Sequence, residues 1–287
     1  MNDTVVTPVW FITGCSRGLG LALARAVLAR GHRVVATARE PASLDALVAA
    51  NPAHCIALPL DLSQPAQIAS TVAAAHAAFG RIDFLVNNAG AGLLGALEEF
   101  SEAQIAENFT VNFFGPVNLF RAVLPIFRAQ KSGHVLSVSA AAAIANYPGF
   151  SIYGAAKRAL EGTLESLAAE GRGFGLKVTI VQPGAFRTEF FSRSVSRAAG
   201  HLADYDATSG KFCRYLETID GKQPGDPALI ADAILAAATA DRPPLRLVLG
   251  AYANDKVKRT AAAAQRELET WAPVAAAATD FKTNPST

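Results

Sequence analysis

The run Thr13-Gly14-Cys15-Ser16-Arg17-Gly18-Leu19-Gly20 constrains the fold of this chain more than any other stretch. It follows the apolar segment Val9-Trp10-Phe11-Ile12 and leads into residues 21–30, which read as a helix stopped at Gly31. In a strand–turn–helix unit of this kind, backbone without Cβ atoms approaches a phosphate closely. The free N–H groups and dipole of the helix N-terminus favour the phosphate's charge. The spacing is Gly-x-x-x-Gly-x-Gly rather than Gly-x-Gly-x-x-Gly, so the turn is longer before the helix begins. A tight turn that binds nothing needs the same glycines. Their place between a strand and a helix favours the phosphate reading.

The rest of the chain repeats the alternation. Apolar runs at 32–37, 55–60, 82–86, 134–139, 176–181 and 245–249 read as six further strands. Helices are expected over 43–50, 65–79, 101–130, 153–170 and 229–240, the third bent at Gly115-Pro116, where proline removes a backbone donor. Strands alternating with helices predict right-handed βαβ units: an α/β, doubly wound (Rossmann-type), seven-stranded parallel sheet with helices on both faces, in one domain spanning 1–287. Such sheets bind ligands beyond the carboxyl ends of their strands. Thr13, Asp61, Asn87, Ser139 and Gln182 all fall at those ends. Two segments depart from the alternation. Residues 188–225, dotted with Phe190, Phe191, Tyr205, Phe212 and Tyr215, read as a substrate-binding loop or lid. Residues 256–271 read as a charged helix, and 272–287 as a frayed tail.

A formal net charge of +2 gives no reason to expect a nucleic-acid or membrane partner. The longest apolar stretches are interrupted by charge, so no membrane span is expected. Cys15, Cys55 and Cys213 cannot all pair and lack metal-ligand spacing, which points to reduced thiols and no metal. The first ten residues lack the basic region of a signal peptide. A cytoplasmic protein is the expectation.

Tyr153-Gly-Ala-Ala-Lys157 places a phenol and an ammonium on one helix face. The ammonium favours the phenolate, lowering the tyrosine pKa toward the working pH and suiting it to proton transfer. A solvated helix face has the same spacing by chance. Here the pair stands beside Thr13-Gly14-x-x-x-Gly18-x-Gly20, Asp61, Asn87-Asn88-Ala89-Gly90, Asn112, Ser139 and Pro183-Gly184, in that order. With these motifs, residues 9 to about 250 resemble the short-chain dehydrogenase/reductase family. Val35-Ala36-Thr37-Ala38-Arg39, Pro148-Gly149-Phe150 and Pro183-Gly184-Ala185-Phe186-Arg187-Thr188 resemble its 17β-hydroxysteroid and retinol dehydrogenase-like branch.

The resemblance implies a catalytic set of Tyr153, Lys157, Asn112 and Ser139. Tyr153 would be the general acid/base, Lys157 would lower its pKa and hold the nicotinamide ribose, and Asn112 would keep a water in a proton relay. It also implies cofactor contacts. Gly14, Gly18 and Gly20, with Thr13, Ser16, Arg17 and Leu19, would surround the pyrophosphate. Asp61 and Leu62 would edge the adenine, and Asn88, Ala89 and Gly90 would lie beside the cofactor. Pro183, Gly184 and Phe186 would turn around the nicotinamide, and Thr188 would reach its carboxamide or the phosphates. Asn88 also reads as a turn-stabiliser at a strand end. The family's substrate-orienting serine usually stands thirteen positions before the tyrosine, where this chain has Ala140. Either the loop is shifted and Ser139 takes the role, or the hydroxyl is missing.

Past the second strand, where an acidic residue would claim a free ribose 2′-hydroxyl, stand Ala38 and Arg39. Arg39 and Arg17 suit a 2′-phosphate, so NADP(H) is expected over NAD(H), although Glu40 follows. The expected activity is interconversion of a secondary alcohol and a ketone or aldehyde on a small, lipophilic molecule. An epimerisation, an enoyl reduction, or an NADP(H)-binding sensor or scaffold without turnover is the alternative. The resemblance also implies a homodimer or homotetramer formed through the helices at 101–130 and 153–170.

Overall fold

The computed structural model describes residues 7–279. In chain order its elements are β1 (Val9–Ile12), α1 (Gly18–Ala29), β2 (Arg33–Ala38), α2 (Asp45–Ala49), β3 (Cys55–Pro59), α3 (Pro65–Phe79), β4 (Phe84–Asn87), β5 (Gly92–Leu94), α4 (Glu102–Phe109), α5 (Gly115–Gln130), β6 (Gly133–Val138), α6 (Ala141–Ile144), α7 (Ser151–Glu170), β7 (Leu176–Pro183), α8 (Phe190–Arg193), β8 (Val195–Arg197), α9 (Lys211–Ile219), α10 (Pro227–Ala238), β9 (Arg246–Leu249) and α11 (Ala251–Thr279). The seven expected strands form one sheet, in the order β3-β2-β1-β4-β6-β7-β9. All its pairings are parallel. β1 pairs with β2 on one side and β4 on the other, so the strand order reverses there and opens a crevice at the carboxyl ends.

Alternation along β1 divides the core. Val9 and Phe11 point into one cluster with Ile68 and Val72 of α3, Leu119 and Phe127 of α5, and Leu160 and Leu164 of α7. Trp10 and Ile12 point into the other, with Leu23 and Val27 of α1 and Ile230 and Ile234 of α10. Each large apolar side chain buried in these layers contributes about 1.5–3 kcal/mol. A third cluster lies beyond the sheet's carboxyl edge, where Leu94, Phe150, Tyr153, Cys213 and Leu216 pack with Phe190 and Phe212.

Several expectations change in detail. The 101–130 helix is interrupted by a π turn at Thr110–Phe114, immediately before the expected bend. Gly115 is required there, since a Cβ would lie 2.5 Å from the carbonyl oxygen of Leu62. The 188–225 segment carries regular structure: α8, α9 and β8, which pairs in parallel with β5. Residues 272–279, expected as a frayed tail, continue α11. Residues 280–287 of that tail, and residues 1–6 of the stretch read for a signal peptide, lie outside the described residues. Glu102–Gln130 is long and apolar enough to cross a membrane by length and composition. Its Leu119, Phe120, Val123 and Phe127, however, are buried in the protein core.

Candidate active site

The glycine turn fits a dinucleotide. Gly14 (φ 72°) and Gly18 (φ 58°) hold left-handed backbone that L side chains rarely adopt. A Cβ on Gly20 would lie 2.3 Å from the carbonyl oxygen of Gly14, so the turn folds back tightly on α1. The N-cap of α1, Arg17, supplies no side-chain cap, which leaves the first N–H groups of the helix available to an anion. The Thr13 hydroxyl accepts hydrogen bonds from the backbone N–H groups of Asn88 and Ala89, both at 2.9 Å. The Asn88 amide donates to the carbonyl oxygens of Thr13 (2.8 Å) and Gly14 (3.3 Å). Thr13 and Asn88 thus tie the glycine turn to the end of β4, consistent with the turn-stabilising reading of Asn88. Asp61 accepts hydrogen bonds from the backbone N–H (2.9 Å) and hydroxyl (2.7 Å) of Ser63, which fixes the turn between β3 and α3. Leu62 is buried in the core.

Phe186 packs against the second core cluster and covers Gly225. Gly184 donates to the carbonyl oxygen of Leu249 at 3.0 Å, joining the turn after Pro183 to β9. Arg17 donates to the Ser194 hydroxyl (3.0 Å) and the Arg193 carbonyl oxygen (3.4 Å), linking the glycine turn to the 188–225 segment. Thr188 stands over Gly18, 3.4 Å from where a Cβ there would lie. Arg39 is exposed just past the end of β2. Ser16 and Leu19 are half-buried in and after the turn, Leu19 packing on the second core.

α7 carries the acid–base pair. Tyr153 and Lys157 are both buried, with the Lys157 Nζ 6.0 Å from the Tyr153 ring centre. Lys157 donates to the carbonyl oxygen of Val138 at 3.0 Å. A Cβ on Gly90 would lie 2.9 Å from Asn112 Oδ1 and 3.2 Å from Lys157 Nζ, so Gly90 lets both side chains converge on the end of β4. Asn112 sits in the π turn. Its amide donates to the Ala91 (2.7 Å) and Asn108 (3.0 Å) carbonyl oxygens, and its Oδ1 accepts from the Ala91 N–H (3.2 Å). The interrupted helix and the site are therefore one construction.

Burial pushes Lys157 down to about 8, against an opposing pull from the Glu161 carboxylate. Burial pushes the Tyr153 phenol up from its ordinary value. The spacing predicted a lowered tyrosine; in the folded chain, removal from water acts on the phenol and raises it.

The Ser139 hydroxyl is engaged within the protein. It donates to Glu161 Oε1 at 2.5 Å. The neighbouring Ala140, on the opposite side of the extended chain, packs in the cluster that holds Tyr153. Glu161 also accepts from the Gln182 amide through Oε1 (3.0 Å) and Oε2 (2.9 Å). Sequence reading overlooked Glu161, although its four-residue spacing from Lys157 was the available signal.

Aromatic side chains close over the pair. Phe150 lies 5.1 Å and Phe190 6.0 Å from the Tyr153 ring, centre to centre. Tyr147 stacks on Phe212 at 5.1 Å, and Lys256 of α11 lies over Tyr147, 3.2 Å from its ring centre. Beside them is a cavity of about 390 Å³ lined by Leu94, Phe191, Val195, Cys213 and Leu216, with the Arg197–Glu217 ion pair at its side.

A doubly wound parallel sheet, a glycine turn shaped for pyrophosphate and a buried tyrosine–lysine pair beyond the strand ends define a dinucleotide-dependent oxidoreductase. Residues 8–198 match the family model described as short chain dehydrogenase, and the chain belongs to that family. It is an oxidoreductase acting on CH–OH groups with a nicotinamide cofactor. An oxidoreductase of Botryotinia fuckeliana is 37% identical over 267 residues, 93% of this chain and 97% of that protein. The crystal structure of a short-chain dehydrogenase from Streptomyces avermitilis is 40% identical, with TM-score 0.90, covering 96% of this chain and 100% of that one. A metagenomic short-chain oxidoreductase in complex with NADP is 30% identical, with TM-score 0.66, covering 84% of this chain and 96% of that one.

Proposed function

We propose that this protein reduces a ketone or aldehyde to the alcohol with NADPH, on a lipophilic substrate, with Tyr153 as the proton donor. The observation that carries this reading is the Tyr153–Lys157 pair, buried together on α7 where Gly90 and Asn112 converge. Gly14, Gly18 and Gly20 and the N-terminus of α1 would hold the cofactor's pyrophosphate, Lys157 its nicotinamide ribose, and Arg39 its 2′-phosphate. When bound, the nicotinamide supplies the hydride. Tyr153 supplies the proton: a phenol that burial keeps neutral at pH 7 is suited to donating one. Asn112 would keep a water on the path that returns that proton. Leu94, Phe191, Val195 and Leu216 would favour an apolar substrate body, and Ser192, Arg197, Glu217 and Asp220 on the same cavity would meet its polar part.

Three cysteines without a disulfide fit a cytoplasmic location. A homodimer or homotetramer through α4, α5 and α7 is proposed on family resemblance. The second reading, an NADP(H)-binding sensor without turnover, draws on Ala140 and on the engagement of Ser139 with Glu161.

The test is NADPH oxidation against a panel of lipophilic ketones and aldehydes, with Tyr153→Phe alongside. The variant is expected to bind NADPH nearly as wild type and to lose about a hundredfold or more in turnover. Turnover within threefold of wild type would remove Tyr153 from this role. NADPH binding without consumption by any carbonyl would favour the sensor.

A further inference from the structure

A buried carboxylate next to the acid–base pair has no part in the activity described so far. Glu161 follows Lys157 by four residues on α7, which puts the two on one helix face. Ser139 comes to it from the end of β6, and Gln182 comes to it from β7. All four side chains are buried. Three donor contacts converge on the two carboxylate oxygens, an arrangement that matches an ionised, acceptor-only carboxylate.

We propose that Glu161 is a positioning residue for the reaction: a buried negative charge, fixed by Ser139 and Gln182, that keeps Lys157 an ammonium and so keeps Tyr153 able to ionise. The proposal rests on the reading of Tyr153 and Lys157 as the proton-transfer pair. It also accounts for Ser139, whose hydroxyl orients Glu161 instead of a substrate.

The surroundings of Lys157 make the case. Its polar neighbours are the Val138 carbonyl oxygen from β6, Asn112 from the π turn, and Tyr153 on its own helix. None of them bears a standing charge at neutral pH. Among the described residues, the charge acting on it is that of Glu161. A buried ammonium without a counter-charge loses its proton as burial dictates. At the roughly 6 Å that separates side chains four apart on a helix, a unit charge at an effective dielectric near 20 moves a proton affinity by about two pH units. Lys157 stands at about 8 with Glu161 present. Without that charge it would be largely neutral at pH 7 and could no longer favour the Tyr153 phenolate.

The experiment is the pH profile of kcat/KM for oxidation of the best secondary alcohol found in the panel. In that direction Tyr153 must be ionised to accept the alcohol proton, so the rate climbs along an acid limb. Glu161→Gln keeps the shape and removes the charge. Its limb is expected to move to higher pH by about one unit or more, with KM for NADP little changed. Glu161→Asp keeps the charge and is expected to stay within about half a unit of wild type. Gln182→Leu strips donors from the carboxylate and is expected to move the limb the same way as Glu161→Gln. It serves as the test if Glu161→Gln does not fold.

A limb unmoved in Glu161→Gln, or in Gln182→Leu where Glu161→Gln does not fold, refutes the proposal. So does an equal shift in Glu161→Asp and Glu161→Gln, which would make the role one of packing. Tyr153→Phe separates the layers. If that variant keeps wild-type turnover, the underlying reading fails. If it loses turnover while the Glu161→Gln limb stays in place, only the Glu161 proposal fails.

Discussion

Replacing Lys157 with methionine should stabilise the protein at neutral pH while abolishing most of its turnover. A buried lysine whose pKa falls from 10.5 to about 8 on folding prefers to be neutral in the native state. Below pH 8 it is charged in both states, and the native state bears the cost of holding that charge out of water. At about 1.4 kcal/mol per pH unit, the fall corresponds to roughly 3 kcal/mol. Methionine has similar length and no charge. It forfeits the hydrogen bond to the Val138 carbonyl oxygen, a loss of about 1 kcal/mol. The net gain is about 2 kcal/mol, or roughly 3 °C in Tm for a chain of this size. Between pH 8 and 10.5 the unfolded chain binds more protons than the folded one, so wild-type stability rises with pH across that window. The advantage of Lys157→Met should therefore be full below pH 8, shrink through the window, and vanish above about 10.5. The assay is thermal unfolding of both proteins at pH 7, 8 and 9.5. A Lys157→Met protein less stable than wild type at pH 7, or a difference that does not change with pH, would refute the reasoning.

Two further outcomes are expected. Arg39→Ala should weaken NADPH binding by about ten- to a hundredfold, the value of one charge-assisted contact of about 1.5–3 kcal/mol, and leave NADH binding nearly unchanged. Titrating both cofactors checks it, and equal losses for the two would withdraw the assignment to NADP(H). Ala140→Ser should raise carbonyl turnover by about tenfold or more by adding an oxyanion donor beside Tyr153, whereas Ser139→Ala should cost far less than the hundredfold typical of losing such a donor; steady-state kinetics of the two variants decide it, and the reverse pattern would return the role to Ser139.

The sheet was legible because most of its strand residues are buried and read as apolar runs such as Val9–Ile12 and Val34-Val35-Ala36. The glycine turn and the Tyr153/Lys157 pair could be located because their geometry depends on local spacing. What stayed hidden depends on contacts between distant segments. Ser139 and Ala140 face opposite sides of an extended chain, and a one-residue difference in register exchanges them. The partners come from distant segments: the fold brings Glu161 of α7 to Ser139, and Gln182 of β7 to Glu161. Arg17 was read for its charge beside a phosphate. Its contacts to Arg193 and Ser194 come from a segment more than 170 residues away in the chain. The π turn at Thr110–Phe114 has no marker of its own, since proline and glycine signal only that the helix is disturbed near residue 115.

The buried pair poses a problem that its spacing alone does not solve. Burial raises Tyr153 and lowers Lys157, so it drives both toward neutrality. A neutral phenol donates a proton to a developing alkoxide, as carbonyl reduction requires, but each turnover leaves a phenolate that must be reprotonated. A lysine stripped of its proton would have none to return. On the proposed reading, a lysine at about 8 still carries its proton at pH 7 and gives it up more readily than one at 10.5. Burial sets one side of that balance and the Glu161 carboxylate the other. The depth of the pair beneath Phe150 and Phe190 and the carboxylate one turn farther along α7 therefore act on the same quantity, and a change in either should move the pH at which the enzyme works.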